Sequence, residues 1–289
     1  MLPDFTQLSH DLAALCRSTA QFIRQEAAVF DRAKIEHKGL HDLVSYVDQE
    51  TERRLVAGLR QLLPEAGFIT EEGTAGPDAH AEDFVWIIDP LDGTTNFVHG
   101  LPVYSISVAL LHQRELVVGV VHEVARDESF RAVRDGGAFC NDAPIRVTDV
   151  AELNSSLIAT GFPYKDFGLM PSYLQILGAF MTHSHGVRRL GSAAVDLAYV
   201  AAGRCEAFFE FNLNSYDVAA GILLVREAGG HVTQFLTDGD PLFGREVWPA
   251  TASSTPKCRP PSASSGSSAK PGCVCHPYLA SACEGPYQA

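Results

Sequence analysis

The chain has 289 residues, 46% of them hydrophobic, with 35 acidic against 22 basic side chains and a formal net charge of −13. That is enough apolar material for one large domain or two moderate ones around a true core, and too acidic a balance for a protein whose main work is gripping nucleic-acid backbone. No window approaches the roughly 20 uninterrupted apolar residues of a membrane-spanning helix, and the start, MLPDFTQLSHDL, carries acids where a signal peptide carries cations, so a cytoplasmic protein without membrane or nucleic-acid partners is expected. An acidic protein that handles phosphate must find positive charge elsewhere, and a bound metal ion is the readiest source.

In chain order, Leu8, Leu12, Leu15, Phe22, Ile23 and Phe30 keep helical spacing and predict a long amphipathic first helix. A second helix is predicted through Val47, Leu55, Leu59 and Leu62, stopped by Pro64 and Gly67. The character then changes: FVWIIDP, SISVALL, ELVVGVVHEV and ESFRAVRDGGAFCND read as successive strands, punctuated by Asp135-Gly136-Gly137 and Asn141-Asp142. After Pro144 strands and helices alternate. SLIATG, GVRRLG, CEAFFEF and HVTQF read as strands; Pro171 to Thr182, AAVDLAYVAAG and VAAGILLVREAGG read as helices. This order predicts an α+β half over 1–145 and an α/β half over 146–247, with helix and sheet packed in layers.

The segment IIDPLDGTTNFVHG carries the strongest chemical signal. A buried strand through Trp86, Ile87 and Ile88 emerges directly into Asp89 and Asp92, two carboxylates three apart on a rigid support, which are hard oxygen ligands of the kind magnesium takes. Gly93 and Thr94 follow, and their free N–H groups are placed to meet an anion such as a phosphate. Two acidic features lie far off in sequence. Glu71 and Glu72 follow the short apolar strand FIT, and Asp217 opens a helix, where it would cap the first turn. Taken singly, each has a plain structural reading: a solvated turn for Glu71 and Glu72, a cap for Asp217, a decorated turn for Asp89 and Asp92. Their combination points to metal-assisted chemistry on phosphate. Such a site would neutralise a dianionic ester, generate a nucleophile near neutral pH and stabilise the leaving alkoxide, and no covalent phosphoenzyme is needed.

Asp-Pro-Leu-Asp-Gly-Thr-Thr-Asn-Phe at 89–97, with Tyr-Asp-Val-Ala-Ala-Gly at 216–221 and Glu-Ala-Gly-Gly at 227–230, resembles the paired signatures of the inositol monophosphatases, over a span from about residue 5 to residue 247. The resemblance implies an αβαβα layered sandwich of the inositol monophosphatase and fructose-1,6-bisphosphatase type, usually a homodimer, magnesium-dependent and lithium-sensitive. It further implies that Glu71 holds one metal with Asp89 and the carbonyl of Leu91, and that Asp89 bridges to a second metal completed by Asp92 and Asp217. Thr94, paired with Asp48, would orient the attacking water, Gly93 and Thr94 would hold the phosphate, and Lys38 corresponds to a basic residue nearby. Gly191, Ser192, Ala193 and Glu210 map to the family's polyol contacts. The expected reaction is hydrolysis of inositol 1-phosphate. Tyr216 stands where inositol-type enzymes commonly carry tryptophan, which leaves histidinol phosphate, 3′-phosphoadenosine 5′-phosphate and fructose 1,6-bisphosphate open as substrates. A noncatalytic regulatory protein on the same fold is the remaining alternative, opposed by so many mutually repelling carboxylates in one place.

The histidines are assigned no metal: His99 reads as a packing residue, His122 and His231 as partly buried surface positions. Cys16, Cys140 and Cys205 read as buried thiols. After Val247 the composition turns Ser-, Pro- and Cys-rich without periodicity, so 248–289 is expected to be disordered, with Cys258, Cys273, Cys275, Cys283 and His276 lacking the paired spacing of a zinc site. Codons chosen for Trp248 to Cys258 and read two nucleotides on spell Ala-Gly-Asn-Gly-Ile-Ile-His-Ala-Glu-Met, the kind of ending the family has, so a frameshifted tail is the preferred account.

Overall fold

The computed structural model describes residues 2–30, 36–39, 42–76, 83–163, 167–234, 240–244 and 246–250. Helix α1 (Phe5–Ala27) starts where Asp4 Oδ1 accepts the Thr6 and Gln7 N–H groups at 2.9 and 3.1 Å. Its buried stripe of Leu8, Leu12, Cys16, Ala20 and Ile23 steps by four and three, as a helix face requires. Helix α2 (Tyr46–Leu62) opens on a capping box between Ser45 and Asp48 and buries Val47, Leu55 and Leu59 on the same side.

Strands β1 (Glu36–Gly39) and β2 (Asp42–Val44) form an antiparallel hairpin between these helices. Seven strands then make the main sheet in chain order: β3 (Gly67–Thr70), β4 (Phe84–Asp92), β5 (Ser105–His112), β6 (Glu115–Glu123), β7 (Glu128–Val133), β8 (Gly137–Cys140) and β9 (Ala143–Pro144). Only β3 and β4 are parallel; the rest run antiparallel. β4 is buried along nearly all its length because both faces are covered. Trp86 and Ile88 face α1 and α2, while Val85 and Ile87 face the opposite side, as a period of two dictates.

That opposite side is filled by two later helices, α5 (Ala193–Ala201) and α6 (Ser215–Glu227), whose Leu197, Ala220 and Leu224 share one core with Val85, Ile87, Ala109 and Phe130. The second sheet lies beyond them, in the order β11 (Gly186–Arg188), β10 (Leu157–Thr160), β12 (Ala207–Phe211), β14 (Glu246–Ala250), β13 (His231–Thr233). Helix α4 (Met170–His183) covers its outer face through Tyr173 and Phe180 against Phe209 and Phe211; the six-residue α3 (Thr94–His99) sits at the end of β4. The stack is therefore helices, sheet, helices, sheet, helix, the layered sandwich expected.

Several expectations are corrected. GVRRLG is a strand only over Gly186–Arg188, because the chain leaves the sheet to reach α5. The second sheet includes β14, which runs to Ala250, three residues past the expected end of order at Val247, pairing with both β12 and β13. The expected disorder beyond it, and Cys258, Cys273, Cys275, Cys283 and His276 with it, lies outside the described residues. His122 is fully buried rather than partly so, and Cys140 is only partly buried where a buried thiol was expected; His231 is exposed.

Candidate active site

β4 carries the first two candidate ligands, and its pairing with β5 breaks register between Asp89 and Asp92. Such an irregularity re-aims side chains at a strand end. Asp89 stays buried and accepts the Leu91 N–H at 3.0 Å. Gly93 follows with φ +99°, and a Cβ there would lie 3.1 Å from the carbonyl oxygens of both Gly191 and Val103, so the turn is built for glycine by conformation and by space. Thr94 then opens α3. Its Oγ1 lies 2.7 Å from Asp48 Oδ1 and 3.0 Å from the Leu91 carbonyl, and with one proton to give, the hydroxyl favours the shorter, charged acceptor.

Four other elements converge here. α2 brings Asp48, whose Oδ2 is held by the Ser45 N–H and hydroxyl at 2.9 and 2.7 Å. The turn after β3 brings Glu71, tied to β4 through its N–H on the Ile88 carbonyl at 3.2 Å. α6 brings Asp217, which stands third in the helix rather than at its opening and accepts the Asn214 N–H on Oδ2 at 2.6 Å. α5 meets Asp92 head-on: Asp92 Oδ2 accepts the Ser192 hydroxyl at 2.6 Å and the Ala194 N–H at 2.7 Å.

The charges are crowded. Desolvation, followed by the carboxylates of Glu71, Asp92 and Asp217, holds the Asp89 carboxyl well above the usual carboxylate range. Desolvation also pushes Asp92 up to about 6, against the bonds from Ser192, Ala194 and Ala193 and the field of Arg189. Burial raises Asp48 despite the bonds from Ser45 and Thr94. Among the described residues no three Asp, Glu, His or Cys groups stand in a finished ligand geometry. The donor set is nevertheless all oxygen, four mutually repelling carboxylates beside the Leu91 carbonyl, and it fits a hard divalent cation, onto which the partly exposed Glu71 and Asp217 have room to turn.

The residues expected to contact a polyol adjoin these acids, with the Ser192 hydroxyl on Asp92. Gly191 (φ +92°) leads into Ser192, the N-cap of α5, and Ala193, its first residue. Glu210 on β12 is buried against Gly161, where a Cβ would overlap its carboxyl. Its acid is held well above the usual range by burial and then by Asp217 and Asp92, with Arg189 opposing. Several contributors are absent from the sequence reading. Arg189 is the cation whose field opposes the rise at Asp92 and Glu210, its guanidinium 5.6 Å from the Phe162 ring centroid, and an Arg-Arg pair two residues before Gly191 in so acidic a chain was the available signal. Asn96 donates to the carbonyls of Val103 and Leu190 at 2.7 and 2.8 Å and so joins the β4 turn to the α5 loop. Asp196, fully buried with neither carboxylate oxygen hydrogen-bonded among the described residues, announced nothing. Lys38 falls on β1 with its side chain outside the described set.

The description "Inositol monophosphatase family" matches this chain over residues 6–258, past the boundary expected at Val247. The chain belongs to the inositol monophosphatase family. Among inositol monophosphatase relatives, an inositol-1-monophosphatase of Rhizobium meliloti is 47% identical over 212 residues, covering 72% of this chain and 78% of that protein. A putative Nus factor SuhB of Neisseria meningitidis serogroup B is 46% identical over 217 residues, covering 75% and 83%. Of solved structures, the extragenic suppressor protein suhB of Bartonella henselae superposes with a TM-score of 0.79 at 36% identity, over 84% of this chain and 93% of that one. The inositol monophosphatase of Anabaena gives 0.76 at 30%, over 87% and 93%. The family makes this a phosphatase scaffold of metal-dependent type, and its layered fold is the one described above.

Proposed function

We propose that the protein is a magnesium-dependent phosphomonoesterase that hydrolyses inositol 1-phosphate to inositol and phosphate. The observation that carries this reading is the convergence on Leu91 of Asp89, raised by burial and then by the carboxylates of Glu71, Asp92 and Asp217, and of Thr94, hydrogen-bonded to Asp48. Glu71, Asp89, Asp92, Asp217 and the Leu91 carbonyl would hold the magnesium, with the Ser192 and Ala194 bonds at 2.6 and 2.7 Å both falling on Asp92 Oδ2. Magnesium bound there supplies charge neutralisation on the ester and a more acidic water. The protein's own part is proton and substrate handling. Thr94 Oγ1 gives its proton to Asp48 and turns its lone pairs to the attacking water, so a proton leaving that water passes through Thr94 towards Asp48. Gly93 and Thr94 N–H groups meet the phosphoryl oxygens. Glu210, Ser192, Gly191 and Ala193 face the alcohol, where a buried acid accepts from or donates to polyol hydroxyls according to its protonation. A cytoplasmic homodimer is the proposed working form, on family resemblance.

The test is phosphate release from inositol 1-phosphate, histidinol phosphate, 3′-phosphoadenosine 5′-phosphate and fructose 1,6-bisphosphate, with magnesium and with EDTA. Magnesium-dependent release favouring inositol 1-phosphate is expected; preference for another ester would replace the substrate and keep the chemistry, and no release from folded protein would sink both. A second reading has its own observation: relatives at 40–46% identity are named Nus factor SuhB. A Nus-factor role would rest on binding rather than turnover, so Asp92→Asn would leave it intact while abolishing phosphate release.

A further inference from the structure

α2 presents two buried carboxylates one turn apart on the same face, Asp48 and Glu52, 1% and 0% exposed. Asp48 serves Thr94; Glu52 has no part in the chemistry above. Its Oε2 accepts the Glu72 N–H at 2.8 Å, and its Oε1 accepts both the Thr74 N–H at 2.7 Å and the Thr74 hydroxyl at 2.8 Å. Between these two residues the Gly73 N–H donates to Thr70 Oγ1 at 3.1 Å, and Gly73 takes φ +69° to let the chain turn. With the Glu71 N–H already on the Ile88 carbonyl, every backbone donor from 71 to 74 is engaged, and the segment closes around one carboxylate.

Burying an ionised carboxylate costs several kcal/mol unless it is fully hydrogen-bonded, and an ordinary solvent-facing turn has no need of one. The turn held here is the one that carries Glu71. We infer that Glu52 is a positioning residue that fixes Glu71 for the cation, so that α2 acts as a common strut, holding Thr94 through Asp48 and Glu71 through Glu52. The reach is specific to glutamate: aspartate would fall short of the Glu72 and Thr74 amides by one methylene. The inference rests on the proposed magnesium-dependent reading.

Glu52→Gln keeps the shape but sets an NH2 against an N–H or O–H donor. The expected result is a rise of about ten- to a hundredfold in half-saturating magnesium, measured by calorimetry with magnesium alone and by phosphate release. kcat at saturating magnesium should stay within about threefold, and the amides of 71–74 should exchange hydrogen at least about tenfold faster. Thr74→Ala, which removes one of the three bonds and leaves the carboxylate with two, should shift magnesium dependence and exchange in the same direction by a few-fold, and it decides the matter if the Gln variant does not fold. Unchanged magnesium half-saturation and exchange, or a loss confined to kcat, would overturn the assignment. If the unaltered protein neither binds magnesium nor releases phosphate, the proposed function fails, while the exchange rates still report whether Glu52 pins the turn.

Discussion

At the scale of single residues, Asp92 and Thr94 stand two positions apart in sequence and are held by different elements. Asp92 is gripped by the start of α5 and shares a field with Asp89; Thr94 gives its proton to Asp48. Asp92→Asn is expected to cut phosphate release by more than about a hundredfold, beyond what loss of an outer-layer partner does. Because it removes one of several repelling charges, its melting temperature in EDTA should equal or exceed that of the unaltered protein, which a thermal scan checks. Thr94→Val should instead lower kcat by about 10²- to 10⁴-fold, the usual worth of positioned acid–base catalysis, with little change in the magnesium concentration that half-saturates. Steady-state kinetics over a magnesium series separates the two.

At the scale of elements, the site exists because α6 lies almost on the backbone of the sheet. A Cβ at Gly119 in β6 would come 3.1 Å from Ala220 Cα and from its carbonyl oxygen, so glycine there sets the closest approach of the helix that carries Asp217. Gly119→Val is expected to cost about 1–3 kcal/mol by overpacking, read from urea unfolding, and to weaken magnesium dependence as Asp217 is pushed off the sheet. A variant of full stability and unaltered magnesium dependence would show that the helix has slack. The hairpins tell a different story about legibility. Asn141 and Asp142 take φ 47° and 67° between β8 and β9, as their residue types announce. Gln113 and Arg114 take φ 51° and 68° between β5 and β6 with no such chemistry; the paired strands impose the turn on them.

At the scale of the whole molecule, His122 lies sealed within the main sheet, on β6 beside β7. It is fully buried, its Nδ1 is 2.8 Å from Ser129 Oγ and its Nε2 is 3.5 Å from Asp127. Burial pushes its pKa down to about 4, the nearby Asp127 opposing and Arg24 and Arg17 assisting. The folded imidazole is thus neutral where the unfolded one takes a proton, so its contribution is fully present above about 6.5 and lost as pH falls towards about 4, amounting to roughly 3 kcal/mol. Asp92, pushed up to about 6 without a cation, works in the opposite sense over the acid range, favouring the folded state as pH falls. The difference in unfolding free energy between the unaltered protein and His122→Asn cancels the carboxylates. It should shrink by about 3 kcal/mol from neutral pH to pH 4; a difference independent of pH would mean that the imidazole is charged in the fold.

The sequence alone determined the long helices, the buried strand that ends in Asp89 and Asp92, and the turn glycine that follows them, because periodicity and a strand-end carboxylate pair are local signals. It also marked Glu71 and Asp217 as acids at element ends, whereas Asp48 and Glu210 were marked only through resemblance to a family, since neither stands near Asp89 and Asp92 along the chain. Only the tertiary structure decided that Asp92 caps α5, that Asn96 reaches from the β4 turn to Leu190, that the charge of Arg189 acts on Asp92, that Glu52 closes the loop bearing Glu71, and that His122 is sealed in. Each of those depends on elements tens of residues apart being brought to hydrogen-bond distance by layers packing face to face, and nothing in the local run of residues encodes that approach.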